Sequence, residues 1–204
     1  MPVSTDTQLQ KLVDLARSGD STANELLINH ACDRLLRLTR KMFHGYPRLQ
    51  RWEQTDDVFQ NSLFRLHRAL SAVQVESVAH FFNLAAEMVR RELLDLKKRH
   101  FGSHGIARNH HTDHQPSDEN GGSLSISAKE PEDLEGWSEF HEAVEALPDE
   151  PKETLNLLYY EGLSQEDAAE VLGVSVRTVK RRWHKAKFLL QEALGDESRR
   201  GTAG

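Results

Sequence analysis

Residues 162–190, GLSQEDAAEVLGVSVRTVKRRWHKAKFLL, constrain this chain more than any other stretch. They predict two helices joined by a tight turn. Ser164 is placed to cap the first helix, and Asp167 three residues on gives a weaker form of the reciprocal capping partner. Ala168, Ala169 and Leu172 make that helix's apolar stripe, and Gly173 ends it where positive φ is required. Ser175 caps a second helix, in which Val176, Val179, Trp183, Ala186 and Leu190 fall at i, i+3, i+7, i+10 and i+14 on a single buried face. The opposite face carries Arg177, Lys180, Arg181, His184 and Lys185, and no acid interrupts residues 175–191. Small alanines let the two helices cross closely. A support helix, a glycine turn and a basic second helix form a helix-turn-helix suited to a major groove. An αα-corner with a solvated basic face is the plainer alternative, but caps, turn and one-sided charge all agree.

GLSQEDAAEVLGVSVRTVKRRWHKAK resembles the promoter-reading helix-turn-helix of bacterial sigma factors, especially the small extracytoplasmic-function (ECF) type. Gly162, Leu163, Ser164, Glu166, Ala169, Leu172, Gly173, Ser175, Thr178, Val179, Lys180 and Ala186 stand where that family's pattern has them. Ala168 replaces the usual Ile or Val, and Trp183 a more common Leu. Two-component response regulators carry a similar module, so the remainder of the chain has to arbitrate.

A length of 204 residues allows one large or two small domains. No apolar run is long enough to span a bilayer, and MPVSTDTQLQ is not a signal peptide. The single Cys32 excludes an internal disulfide, suits a reducing cytosol and reads as a buried structural thiol. The net charge of −6 argues against indiscriminate coating of DNA, yet its distribution matters more. Basic residues gather at 90–99 and 177–187, with an acidic stretch at 113–153 between them. Two basic patches suggest two nucleic-acid contacts.

In chain order, Leu9, Leu12, Val13 and Ala16 predict a first amphipathic helix. Asp20 or Ser21 then caps a longer one through Leu26, Leu27, Leu35, Leu36, Leu38 and Met42, ending at Gly45. Asp56 and Asp57 favour the start of a third helix, with Phe59, Leu63, Leu66 and Leu70 inward. HFFNLAAEMVRRELLDLKKRH predicts a fourth. Its inner face is Phe81, Leu84, Ala85, Met88, Leu93 and Leu96; Asn83, Glu87, Arg90, Arg91, Lys97, Lys98 and Arg99 stay polar. Residues 101–131, rich in Gly, Ser, Asn, His and Asp, read as a flexible acidic linker. His100, His104, His110, His111 and His114 lack cysteine partners and a common helix face, so they read as solvated and no metal or cofactor is expected. Trp137, Phe140, Val144 and Leu147 resume a helix, Pro148 breaks it, and Pro151 suits the first turn of the next. The fold expected is all-α: two small helical domains at 1–100 and 132–195, then a polar tail at 196–204.

The resemblance extends over residues 20–194. DDVFQNSLFRLHRAL is similar to the ECF segment that docks on the clamp coiled-coil of core RNA polymerase. That implies docking by Asp56, Asp57, Gln60 and Asn61, although Asn61 stands where an acid is usual. The fourth helix resembles the segment that captures and opens the −10 element, which implies DNA contacts by Asn83, Arg90, Arg91, Lys98 and Arg99. Arg91 stands where Asn is common. The chemistry fits: a melted strand needs neutralised phosphates and a pocket for an unstacked base, here the 71–77 loop with the start of the helix. In the helix-turn-helix, the resemblance implies −35 contacts by Arg177, Lys180, Arg181, His184 and Lys185, with Ser175 and Thr178 at the DNA backbone.

The implied function is a cytoplasmic ECF-type sigma factor, with polymerase core and promoter DNA as partners and no catalysis of its own. Most relatives are held by an anti-sigma factor, and no membrane contact is implied. A stand-alone response-regulator type of regulator is the rival, and it requires βα alternation upstream. No nucleophile–base arrangement or glycine-rich phosphate loop suggests an enzyme.

Overall fold

The computed structural model describes residues 3–18, 20, 22–102 and 134–200, and every regular element among them is helical. The N-terminal half holds α1 (Val3–Arg17), α2 (Ala23–His44), a 3-10 turn (Leu49–Arg51), α3 (Thr55–Ala72) and α4 (Val78–Phe101). In the C-terminal half α5 (Leu134–Glu145) is followed by α6 (Asp149–Leu155), a wide π turn (Asn156–Tyr160), α7 (Gln165–Leu172) and α8 (Val176–Arg200). The βα alternation that a response-regulator reading needs is absent among the described residues. The linker at 103–131, with His104, His110, His111 and His114, lies outside them.

Local chemistry fixes most helix starts. The Asp20 carboxylate accepts the Thr22 N–H at 2.9 Å and its hydroxyl at 2.8 Å ahead of α2, and these bonds hold its pKa below the usual carboxylate value. Ser77 caps α4, its oxygen accepting the His80 N–H at 3.0 Å. Pro148 sits just outside α6, with Pro151 in its first turn.

The apolar faces follow sequence spacing with informative exceptions. On α2, Leu27, Ala31, Leu35, Leu38 and Met42 line the core, whereas Leu26, expected inward, turns out to solvent and Leu36 is half-buried. Leu26 lies about 100° around the helix from Leu27, off the stripe. On α3 the buried line is Val58, Ser62, Leu66 and Leu70, and Phe59 and Leu63 are only half-buried. Small Ser62 lets α3 approach α4, and its hydroxyl is satisfied by the Val58 carbonyl at 2.7 Å. Cys32 is half-buried, not buried as expected.

The hub is α4, which packs against α1, α2, α3, α5, α6, α7 and both turns. Its buried residues include Arg90, Glu92 and His100, while Arg91, Asp95, Lys98 and Arg99 stay exposed. One apolar core therefore runs through both halves. Gly45 packs close against the other half: a Cβ there would lie 2.5 Å from the Trp137 ring. At the other end, α8 continues to Arg200, so residues 196–200, expected as tail, extend the helix.

Candidate nucleic-acid and partner interfaces

The helix-turn-helix forms as its residues dictate. Ser164 Oγ accepts the Asp167 N–H at 3.0 Å and donates its own proton to the Asp167 carboxylate at 2.7 Å. Gly173 sits at φ 63°, in the left-handed region, and turns the chain into α8. Val179, Trp183, Ala186 and Leu190 are buried, and Val176 is half-buried. Arg177, Lys180, Arg181, His184 and Lys185 are all exposed on the other side, a cationic stripe along the first turns of α8. Ser175 and Thr178 stand at its N-terminus but are engaged there: Ser175 Oγ accepts the Thr178 N–H at 3.2 Å and lies 3.0 Å from the Thr178 hydroxyl. Arg182, in the same basic run, points elsewhere. Its side chain is 13% exposed and ion-paired to Glu150 at 2.5 Å, anchoring α8 to α6.

A second surface is the outer face of α3. Asp56, Asp57, Gln60 and Asn61 are exposed there, and Phe64, missed by the sequence reading, extends the face at 71% exposure. The Asn61 amide donates to Glu92 Oε1 at 3.1 Å, while Arg65 binds the other oxygen of Glu92 at 2.7 Å and Asp95 at 2.7 Å. The departure from the family's usual acid now has a cause. An acid at position 61 would face the buried carboxylate of Glu92.

The five residues read for strand opening do not form one open surface. Arg91, Lys98 and Arg99 are exposed, with Arg91 paired to Glu87. Arg90, expected to stay polar-side out, is completely buried under the C-terminal half. Its guanidinium donates to Glu145 at 2.5 Å and Asn156 at 2.9 Å and lies over the Tyr160 ring. Asn83 accepts from the Asn156 amide at 2.9 Å. Around them Arg34 pairs with Glu161 at 3.0 Å, Lys41 donates to the Tyr159 carbonyl, and the Tyr46 hydroxyl meets His141 Nδ1 at 2.9 Å. Burial, then the Arg90 charge, holds His141 down to about 3, so it is neutral here. Burial likewise pushes the Tyr46 and Tyr160 hydroxyls far above their ordinary value. Periodicity marked Arg90 as polar, but its partners come from the other half of the chain and leave no local trace.

His100 also departs from the sequence reading. It is a buried residue of α4, bound to Glu53 at 2.8 Å and stacked on Trp52. No group of three or more His, Cys, Asp or Glu among the described residues is arranged to hold a metal ion, and no helix among them is long and apolar enough to cross a membrane.

The chain is 26% identical over 195 residues to RNA polymerase sigma-H factor of Pseudomonas aeruginosa, covering 93% of this chain and 95% of that one. Among solved structures it is similar to CnrH, determined in complex with the cytosolic domain of CnrY. That match has 21% identity and a TM-score of 0.35, over 91% of this chain and 96% of that one. It is also similar to the sigma factor RpoE of Bartonella quintana, determined with the anti-sigma factor NepR, at 19% identity and a TM-score of 0.33, over 82% and 95%. The sequence model of a family described as ECF sigma factor matches residues 6–196, nearly the whole chain, and the chain therefore belongs to the ECF sigma factor family, whose members direct promoter-specific transcription initiation with RNA polymerase.

Proposed function

We propose that this chain contacts promoter DNA at two places and polymerase core at a third, each through a separate helix. The observation that carries the reading is the cationic stripe of α8. Arg177, Lys180, Arg181, His184 and Lys185 are exposed together on the helix that a helix-turn-helix presents to the major groove, and their opposite face is locked into the core. In this reading they contact bases and phosphates of the −35 element. Ser175 and Thr178 hold the helix N-terminus in shape and present it to the phosphate backbone.

Docking on the clamp coiled-coil falls to Asp56, Asp57 and Gln60, with Asn61 holding the face against Glu92. Arg91, Lys98 and Arg99 neutralise phosphates of the opened −10 strand, and Arg90 and Asn83 join them once uncovered. Polymerase supplies all the chemistry, the chain works in the cytoplasm, and an anti-sigma protein competes for the same surfaces. The test separates the contacts. Arg177→Ala with Lys180→Ala should abolish protection of the −35 element and leave core affinity intact, whereas Gln60→Ala with Asp57→Ala should weaken core binding itself. Equal loss of core binding in both pairs would contradict the assignment.

A further inference from the structure

We propose that Arg182, held by Glu150, sets the roll of α8 and so the sharpness with which its stripe discriminates −35 sequences. Arg182 is then a positioning residue, a role that rests on the −35 contacts proposed above. Its neighbours Lys180, Arg181, His184 and Lys185 are exposed, whereas the Arg182 side chain is only 13% exposed and reaches across to α6. There its Nη2 donates to Glu150 Oε1 at 2.5 Å. Glu153, three residues along α6, is half-buried near the same guanidinium. Burial pushes its carboxyl above the usual carboxylate value, and the Arg182 charge pulls it partly back.

Stability alone does not account for this pair. Glu150 is 65% exposed, so water screens its charge, and Arg182 Nε is buried with no hydrogen-bond partner among the described residues. An ion pair with one solvated partner and one orphaned donor contributes little net free energy, and an apolar side chain would serve the core as well. What the pair supplies is register. The buried side of α8 is Val179, Trp183, Ala186 and Leu190, while α7, packed against it, buries only Ala168 and Ala169. Apolar contact is non-directional and tolerates a small rotation; a short charge-assisted hydrogen bond does not. A roll of about 20° carries a side-chain tip about 6 Å from the helix axis by about 2 Å, enough to break a hydrogen bond to a base edge. Arg181 adjoins Arg182, so freedom at position 182 passes directly to the stripe.

The experiment uses holoenzyme assembled with core polymerase and two duplex probes. One is a promoter fragment that the wild-type holoenzyme selects from a library randomised over the −35 segment; the other is that fragment with the segment scrambled. The readout is the ratio of the two affinities, measured well below the melting temperature. Arg182→Met should lower the ratio about tenfold, with affinity for the scrambled fragment kept within about twofold of wild type. Glu150→Gln should act in the same direction, and the double variant should lose no more than Arg182→Met alone. Core affinity and helix content should match wild type throughout. An unchanged ratio in either folded variant, or losses that simply add, would overturn the positioning role. So would equal losses on both fragments, which would make Arg182 a direct phosphate contact. If Arg182→Met fails to fold, Glu150→Gln decides, because its side chain is exposed. A wild-type holoenzyme that selects no −35 sequence would overturn the −35 reading itself.

Discussion

Gly45 and Gly173 are both constrained, for different reasons. Gly173 holds a positive φ in open space, so Gly173→Ala costs only backbone strain, about 1 kcal/mol. Gly45 has an ordinary φ, but a methyl group there would strike the Trp137 ring. Gly45→Ala should cost about 1–3 kcal/mol, lower Tm by several degrees and alter Trp137 fluorescence. Thermal melts of the two variants check the order. Gly173 was legible because its requirement is local. Gly45 read as a plain helix end, since its reason is a side chain distant in sequence.

His141 gives a pH dependence at the same scale. Its pKa in the folded chain is about 3, against the ordinary 6.5, so the unfolded chain binds the extra proton. Stability from this site is present above pH 6.5 and falls as pH drops toward 3, by roughly 1–2 kcal/mol at pH 5.5. Urea midpoints should decline over that range in wild type. In His141→Gln they should decline less.

Among the elements, α4 shows how far a helical period carries. Its course was readable from the apolar repeat, although it starts at Val78 ahead of the expected HFFN run, but the burial of Arg90, Glu92 and His100 was not, because two halves close on it. The buried face of α3 was read one residue out of phase at its start, where Val58 and Ser62 line the core in place of Phe59 and Leu63. A serine at a buried position carries no hydrophobic signal, and only its bond to the Val58 carbonyl explains it. The contact between α3 and α4 yields a further prediction. Asn61→Glu would restore the acid usual at that position, yet it should destabilise this chain by about 1–3 kcal/mol, because the new carboxylate faces Glu92. Combining it with Glu92→Gln should recover most of the loss in denaturant melts.

For the molecule as a whole, the helix-turn-helix was legible almost residue by residue, as caps, turn and stripe are all local. The arrangement of the halves was not, since the bonds of Arg90 to Glu145 and Asn156 join segments that no sequence period links. An acidic chain of net charge −6 with two small basic footprints gains specificity when core fixes their separation. The most direct test is therefore run-off transcription from a genomic promoter library, with core polymerase in the presence or absence of this chain. New, sequence-specific starts are expected, lost with Arg177→Ala at unchanged core binding and lost with Gln60→Ala through weakened core binding. A chain that never associates with core, or starts that survive both substitutions, would contradict the account.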